Sequence, residues 1–261
     1  IQTKRDDFTD QFEKSVFKNI YSDCQRLDDE DFRKKYHISP DSAGWNLAQA
    51  KRILNNTTFN EQCIRAYHYR PFDKRLTYFT KEQGFLGRPR YETMQHFLND
   101  ANIGLCFIRN DYGADDFTYI FVVDTIIDIH LLGGQTYIAP FYLHNQPIDN
   151  HDDLFLNGAN GAPKVVNFTP VFTRFIKAQY AQQPSAKEIF SYIYAILHSQ
   201  HYRKTYLEFL KIDFPRIPFV KDYAAFKRFS VLGQELIDMH LMKTSSPDET
   251  VSFPQEGTDI V

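Results

Sequence analysis

The sequence predicts an α+β fold, with a mostly β central region between a mixed N-terminal segment and a C-terminal helical group. Three observations carry this prediction. Between residues 61 and 170, apolar and aromatic residues come in short runs bounded by Gly, Asp and Asn. After residue 170 they recur at three- and four-residue spacing. The composition, 43% hydrophobic and 24% charged over 261 residues, is that of a globular chain.

Residues 14–36 are charged and weakly helical, with Val16, Phe17, Ile20 and Tyr21 at helical spacing. Asn46 to Leu54 reads as a short helix with Leu47, Ala50, Ile53 and Leu54 on one face. Strands are expected over Ile64–Tyr69, Leu76–Phe79, Ile103–Ile108, Tyr119–Val123, Thr125–Ile129 and Tyr137–Leu143, with Arg70-Pro71-Phe72-Asp73 turning between the first two. The stretch 144–164, rich in Asn, Asp, Gly and Pro, is expected to be an exposed loop.

Beyond it, Val171–Tyr180 is a helix candidate, and Ser185 with Glu188 fits a capping box opening a second. Tyr202–Leu210 is a third, and Pro215 and Pro218 interrupt the chain after it. Asp222 can cap a last helix with Phe226, Phe229, Leu232, Leu236, Ile237 and Leu241 inward. The expected organisation is therefore residues 1–60 mixed and helical, 61–170 β-rich, 171–243 helical and 244–261 a polar tail.

No apolar run approaches the ~20 residues a bilayer span requires. The longest candidate, Tyr119 to Leu132, is interrupted by Asp124 and Asp128. Three scattered cysteines form no disulfide framework, so a reducing, cytoplasmic setting is expected, with no membrane partner. The chain begins at Ile1, and the expectation is a portion of a longer polypeptide.

The net charge of −3 argues against a generally sticky polyanion binder, but the charge is unevenly placed. Residues 65–109 hold eight Lys/Arg against four Asp/Glu, and residues 161–243 hold twelve against six. Between them, residues 110–160 hold eight acidic residues and no Lys or Arg. If the chain binds a polyanion, the two basic blocks face it; a solvated surface explains the same asymmetry.

Catalytic signatures are missing from the sequence. There is no Gly-rich phosphate loop with Gly-Lys-Ser/Thr and no Asn/Asp-Pro-Pro-Tyr/Phe methylation motif. His198 and His201, three apart on an expected helix, make a weak zinc signal without a third ligand, and the same discount applies to His144 and His151. Asp111, Asp115 and Asp116 could hold Mg²⁺ and support a hydrolase, but an exposed acidic turn explains them equally well.

The basic constellations are more informative. Arg65, Arg70, Lys74 and Arg75 lie within eleven residues, among Tyr67, Tyr69, Phe72, Tyr78 and Phe79. Arg88 and Arg90 follow in a Gly-Arg-Pro-Arg turn that should be exposed, and arginine forks suit phosphates and guanine edges. Asp73 stands two residues from Arg75 and three from Arg70, so one structural ion pair is expected there, and Arg70 and Asp73 are read as structural.

Six segments taken together carry a resemblance. They are Gln2–Asp7 (QTKRDD), Tyr69–Arg75 (YRPFDKR), Tyr192–Ser199 (YIYAILHS), Tyr202-Arg203, Leu210–Phe219 (LKIDFPRIPF) and Gly233–Leu241 (GQELIDMHL). In this order they resemble the C-terminal portion of type ISP and related type IIG single-chain bacterial restriction–modification enzymes, over residues 1 to about 243. In that family one polypeptide joins a nuclease, in some members a helicase motor, an adenine-N6 methyltransferase and a target recognition domain.

The resemblance implies that this chain is the recognition portion. It implies double-stranded DNA as partner, alongside the methyltransferase and nuclease of the same polypeptide. S-adenosylmethionine, Mg²⁺ and, for a helicase-bearing parent, ATP would serve parts other than this chain, for which no cofactor and no catalytic residue is expected.

Candidate DNA contacts are Arg65, Lys74 and Arg75; Gln83, Arg88 and Arg90 in a first loop; and Arg109 and Asn110 in a second. Arg174, Lys177, Arg203 and Lys204 of the helical group would grip the backbone, and Pro215-Arg216-Ile217-Pro218 is read as a structural joint between helices. The competing reading is an intrachain module that positions the methyltransferase and nuclease.

Overall fold

The computed structural model describes residues 14–38, 40–42, 44–99, 101–109, 116–144 and 164–244. The expected loop at 145–163, the tail from 245, the segment Gln2–Asp7, and Asn110, Asp111, Asp115 and His151 lie outside the described residues.

The N-terminal part is helical: α1 (Lys14–Arg26), α2 (Asp29–Lys35) and α3 (Leu47–Asn55). Asp28 caps α2 by accepting from Asp31 N–H, and Asn46 caps α3 through Gln49 N–H. Phe17, Ile20 and Tyr21 of α1 meet Phe32, Trp45, Leu47 and Leu54 in one core, which Tyr78 and Phe85 close from the β region.

Strands β1 (Ile64–Arg70) and β2 (Asp73–Tyr78) form an antiparallel hairpin. Arg70 pairs with Asp73, leaving Pro71 and left-handed Phe72 (φ 63°) as its turn, the residue order of a type II turn. Short β5 (Ile126–Ile127) runs parallel to β1 on its other side. A second sheet has β3 (Gly104–Ile108) between β4 (Ile120–Val123) and β6 (Thr136–Pro140), both antiparallel. β7 (Tyr142–His144) pairs with β8 (Lys164–Val166).

Between the first two sheets' strands lies α4 (Tyr91–Met94), and after β8 come α5 (Pro170–Gln179), α6 (Ala186–His198), α7 (Gln200–Leu210) and α8 (Tyr223–His240). The capping box of Ser185 and Glu188 is present, and Asp222 caps α8 through Ala224 and Ala225 N–H. The largest core lies here, with Ile189, Tyr192 and Tyr194 of α6 and Phe226 and Ile237 of α8 packed against Val122, Tyr142 and Val166. The two helices touch backbone to backbone: a Cβ on Gly233 would stand 1.8 Å from the Ser191 carbonyl oxygen, so only glycine fits.

The structure corrects several expectations. Residues 137–143 form two strands, because the chain changes sheets at Phe141, whose N–H donates to Ile103 O (2.8 Å) and whose carbonyl accepts from Asn167 N–H (2.9 Å). β8 arises at the end of the expected loop because pairing with β7 overrides its polar flank. Leu232 is 57% exposed, since Phe226, Gly233 and Ile237 define the buried face of α8. His198 ends α6 whereas exposed His201 lies on α7, so the two do not share a helix face.

Candidate nucleic-acid interface

The loop after β2 is anchored from behind. Phe85 is 3% exposed in the N-terminal core, its ring tilted against those of Tyr78 and Phe17. The Trp45 indole N–H donates to Gly84 O at 2.9 Å. Gly87 lies so close to the 44–45 turn that a Cβ would be 2.4 Å from Gly44 O. Gly84, Phe85 and Gly87 are thus seated on the N-terminal core, while Leu86 packs toward the cluster of Phe79 and Met94.

From this seat Arg88 and Arg90 emerge, both exposed and both left-handed (φ 51° and 49°) on either side of Pro89. A non-glycine residue pays about 1–2 kcal/mol for that conformation. Two such residues persist only because their surroundings over-determine them, as at ligand-contacting sites. The Arg88 Nε lies beside Gly44. Arg90 is the N-cap of α4 without a side-chain cap bond; its carbonyl accepts from Thr93 and Met94 N–H.

Lys81, Arg88, Pro89, Arg90, Tyr91 and Glu92 line a surface cleft of about 440 Å³. The Tyr91 ring forms part of its wall, stacked on buried Phe79 (6.2 Å, 15°), with the Lys81 ammonium 5.7 Å from its centroid. Gln83, the third candidate of this loop, is half-buried, and its side-chain Nε2 is buried without a partner among the described residues.

The hairpin cations sit differently. Arg75 holds Asp73 through Nε and Nη2 (3.0 and 2.8 Å), so Asp73 pairs with Arg75 and not with Arg70. Arg70 reaches Asp128 instead, at 3.0 Å. Both guanidinium carbons lie 4.0 Å from the Tyr69 ring centroid. Lys74 pairs with Asp124 at 2.8 Å, and the same carboxylate takes His68 Nε2 at 3.2 Å. Burial works against the charge on Asp124, but hydrogen bonds from His68 and Lys74 hold its carboxyl well below the usual range. Arg65 is half-buried on β1, opposite Thr77.

The remaining candidates are dispersed. Exposed Arg109 follows β3 and lies near Asp213 (3.7 Å), with its guanidinium 5.4 Å from the Phe214 ring centroid. Arg174 is exposed and Lys177 half-buried on α5, and Lys204 is exposed on α7. Arg203 turns inward: its Nε donates to Leu197 O at 2.7 Å and its Nη2 lies 3.1 Å from His198 Nδ1. Burial lowers the Arg203 pKa, and burial together with Arg203 and His240 takes His198 down to about 3. Arg203 closes the C-terminal end of α6, a role that helical spacing in the sequence could not show.

The segment 211–222 crosses between α7 and α8 without regular structure. Three tyrosine hydroxyls hold it: Tyr202 donates to Arg216 O (2.9 Å), Tyr192 to Pro218 O (2.8 Å) and Tyr180 to Val220 O (2.7 Å). Val220 N–H donates back to the Tyr192 hydroxyl at 3.1 Å. Among the described residues no group of three or more His, Cys, Asp or Glu is placed to hold a metal ion, and no helix is long and apolar enough to cross a membrane.

Lys81, Tyr91 and Glu92 are cleft residues that sequence reasoning missed. An isolated Lys and a Tyr ten positions later carry no local signal; only the fold of the loop brings them to one cleft.

A family model described as the type ISP C-terminal specificity domain matches residues 1–261. No curated protein matches the chain. Among solved structures, the chain is similar to the ATP-dependent type ISP restriction–modification enzyme LlaBIII bound to DNA (22% identity, TM-score 0.62, 89% of this chain and 14% of that one). It is also similar to a DrdV–DNA complex (23%, 0.58, 87% and 20%) and to a nuclease-deletion mutant of the type ISP enzyme LlaGI in complex with a DNA substrate mimic (22%, 0.53, 90% and 19%). At these identities the likeness is one of fold, and the chain spans at most a fifth of each structure it matches.

Proposed function

This chain belongs to the family of type ISP C-terminal specificity domains, and from that premise we propose that it recognises a specific sequence in double-stranded DNA. In this reading it is the target recognition portion of a restriction–modification enzyme. It directs adenine-N6 methylation and cleavage performed in the cytoplasm by other parts of the same polypeptide, which would use S-adenosylmethionine, Mg²⁺ and, in a helicase-bearing parent, ATP.

The observation that carries the reading is the anchored loop 80–92, which presents Arg90 and Lys81 outward, with exposed Arg88 laid beside Gly44, from a base seated on the core. Side chains that read base edges must be held in place, because an unanchored loop loses ordering entropy on binding. Arg75, Lys74 and Arg203 spend their charge on protein partners and belong to the framework of the site. Arg65, Arg109, Arg174, Lys177 and Lys204 are the backbone-contact candidates.

Selection from a randomised duplex pool at low and at physiological salt tests this. Enrichment of one short site is the expected result. Salt-sensitive binding without enrichment would limit the chain to phosphate contacts, and absence of binding at low salt would remove the reading.

A second reading, a module that positions the catalytic parts, draws on the exposed apolar side chains Phe209 and Ile212 at the end of α7 and Val231 and Leu232 on α8. Exchanging the domain between related enzymes separates the two: a changed methylation site supports recognition, an unchanged one supports positioning.

A further inference from the structure

Resting on the proposed DNA recognition, the geometry points to a more specific role for the cleft beside α4: we propose that Arg90 and Glu92 read a G·C base pair. Both residues line the cleft and both are exposed. They stand two residues apart with opposite charge, yet no ion pair joins them, and neither side chain has a partner among the described residues. The backbone carbonyl of Glu92 accepts from the Gln95 side chain at 3.0 Å, which leaves its carboxylate uninvolved in that bond.

A solvated surface normally lets such neighbours pair or leaves them on a flexible stem. Here the backbone holds them apart. Arg90 occupies the left-handed region at φ 49°, and α4 begins at Tyr91, whose ring is fixed on Phe79. The cleft therefore offers a fork of N–H donors and, beside it, an acceptor-only carboxylate.

In the major groove one base pair presents the matching set: guanine shows two acceptors, N7 and O6, and its cytosine partner shows the N4 amino donor. An A·T pair shows one acceptor and one donor on adenine, and an acceptor and a methyl group on thymine, so neither of its bases gives the Arg90 fork two acceptors. A phosphate would suit Arg90 and Lys81 but would be repelled by Glu92. Among these ligands, the G·C edge alone gives the Arg90 fork two acceptors on one base and Glu92 a donor on its partner.

The test uses the full chain and the duplex selected from the random pool. Wild type, R90A and E92Q are compared on that duplex, on duplexes with each G·C pair changed, and on duplexes with 7-deazaguanine replacing each guanine in turn. The expected result is one G·C position at which 7-deazaguanine weakens wild-type binding about tenfold and leaves R90A unaffected. E92Q should lose its preference at that same position and keep the rest of the site. Uniform weakening by R90A at every position, with a flatter salt dependence, would overturn the assignment in favour of a phosphate contact while leaving DNA recognition intact. A selected site with no such position would also overturn it. Failure of the wild type to select any site would overturn the proposed function itself, and the assignment with it.

Discussion

Two irregular segments of this molecule are built from the same residues and held in opposite ways. Gly87-Arg88-Pro89-Arg90 and Pro215-Arg216-Ile217-Pro218 both join Pro to Arg, and both lie outside regular structure. The first is held by its apolar side, through Phe85 in the core and Gly87 against the Gly44 carbonyl, with exposed Arg88 laid beside Gly44 and exposed Arg90 at the cleft. The second is held by its backbone, through the Tyr202 hydroxyl of α7 on Arg216 O and the Tyr192 hydroxyl of α6 on Pro218 O. A segment whose polar backbone is spent on the protein serves as a joint. One anchored by a buried ring leaves the Arg90 side chain exposed at the cleft.

The comparison can be broken at four places. The largest effect is expected for Phe85→Ala. Truncating a buried phenylalanine costs about 3–5 kcal/mol, and here it would also release the loop, so both the denaturant midpoint and DNA affinity should fall. Affinity that stays unchanged in the folded variant would mean the ring does not hold the arginines in place.

Next comes Tyr192→Phe. It removes a hydroxyl that donates to Pro218 O and accepts from Val220 N–H, at about 1–3 kcal/mol for each group left unpaired. Its stability loss, read by thermal unfolding, should leave the preferred DNA site untouched. A change of preference would make the strap part of the reading surface. Gly87→Ala should cost about 1–3 kcal/mol, because its Cβ would press on backbone that cannot yield like a flexible side chain. Unlike the tyrosine change, it should also shift the DNA preference, which parallel selections would reveal.

Much of this contrast was legible in the sequence, for physical reasons. Caps are local, so Ser185, Glu188 and Asp222 marked their helices. The Gly-Arg-Pro-Arg turn declared itself exposed because neither Gly nor Pro continues a strand. What escaped was long-range. Asp73 chose Arg75 rather than Arg70, and the parallel pairing of β5 with β1 brings Asp128 to Arg70 from 58 residues away. Arg203 looked like a surface cation until α7 folded back and laid it on the end of α6. Leu232 matched the helical period, yet the close approach at Gly233 rotated it outward.

The smallest effect on stability is expected at Arg90, and its sign separates the two segments most sharply. In the left-handed region glycine avoids the steric cost that a side chain bears, and this gain is partly offset by the freedom glycine has in the unfolded chain. Arg90→Gly should therefore raise stability slightly, by about 1 kcal/mol at most, while DNA affinity at the preferred site drops. An equivalent change at Arg216, whose backbone is stapled and whose φ is not left-handed, removes no such strain and should bring no gain. Gain of stability with loss of binding at Arg90, measured by equilibrium unfolding and DNA titration on the same sample, would mean the strain at this residue is retained for the ligand. Loss of stability instead would mean the Arg90 side chain supports the fold, and the cleft would have to be reassigned as structure.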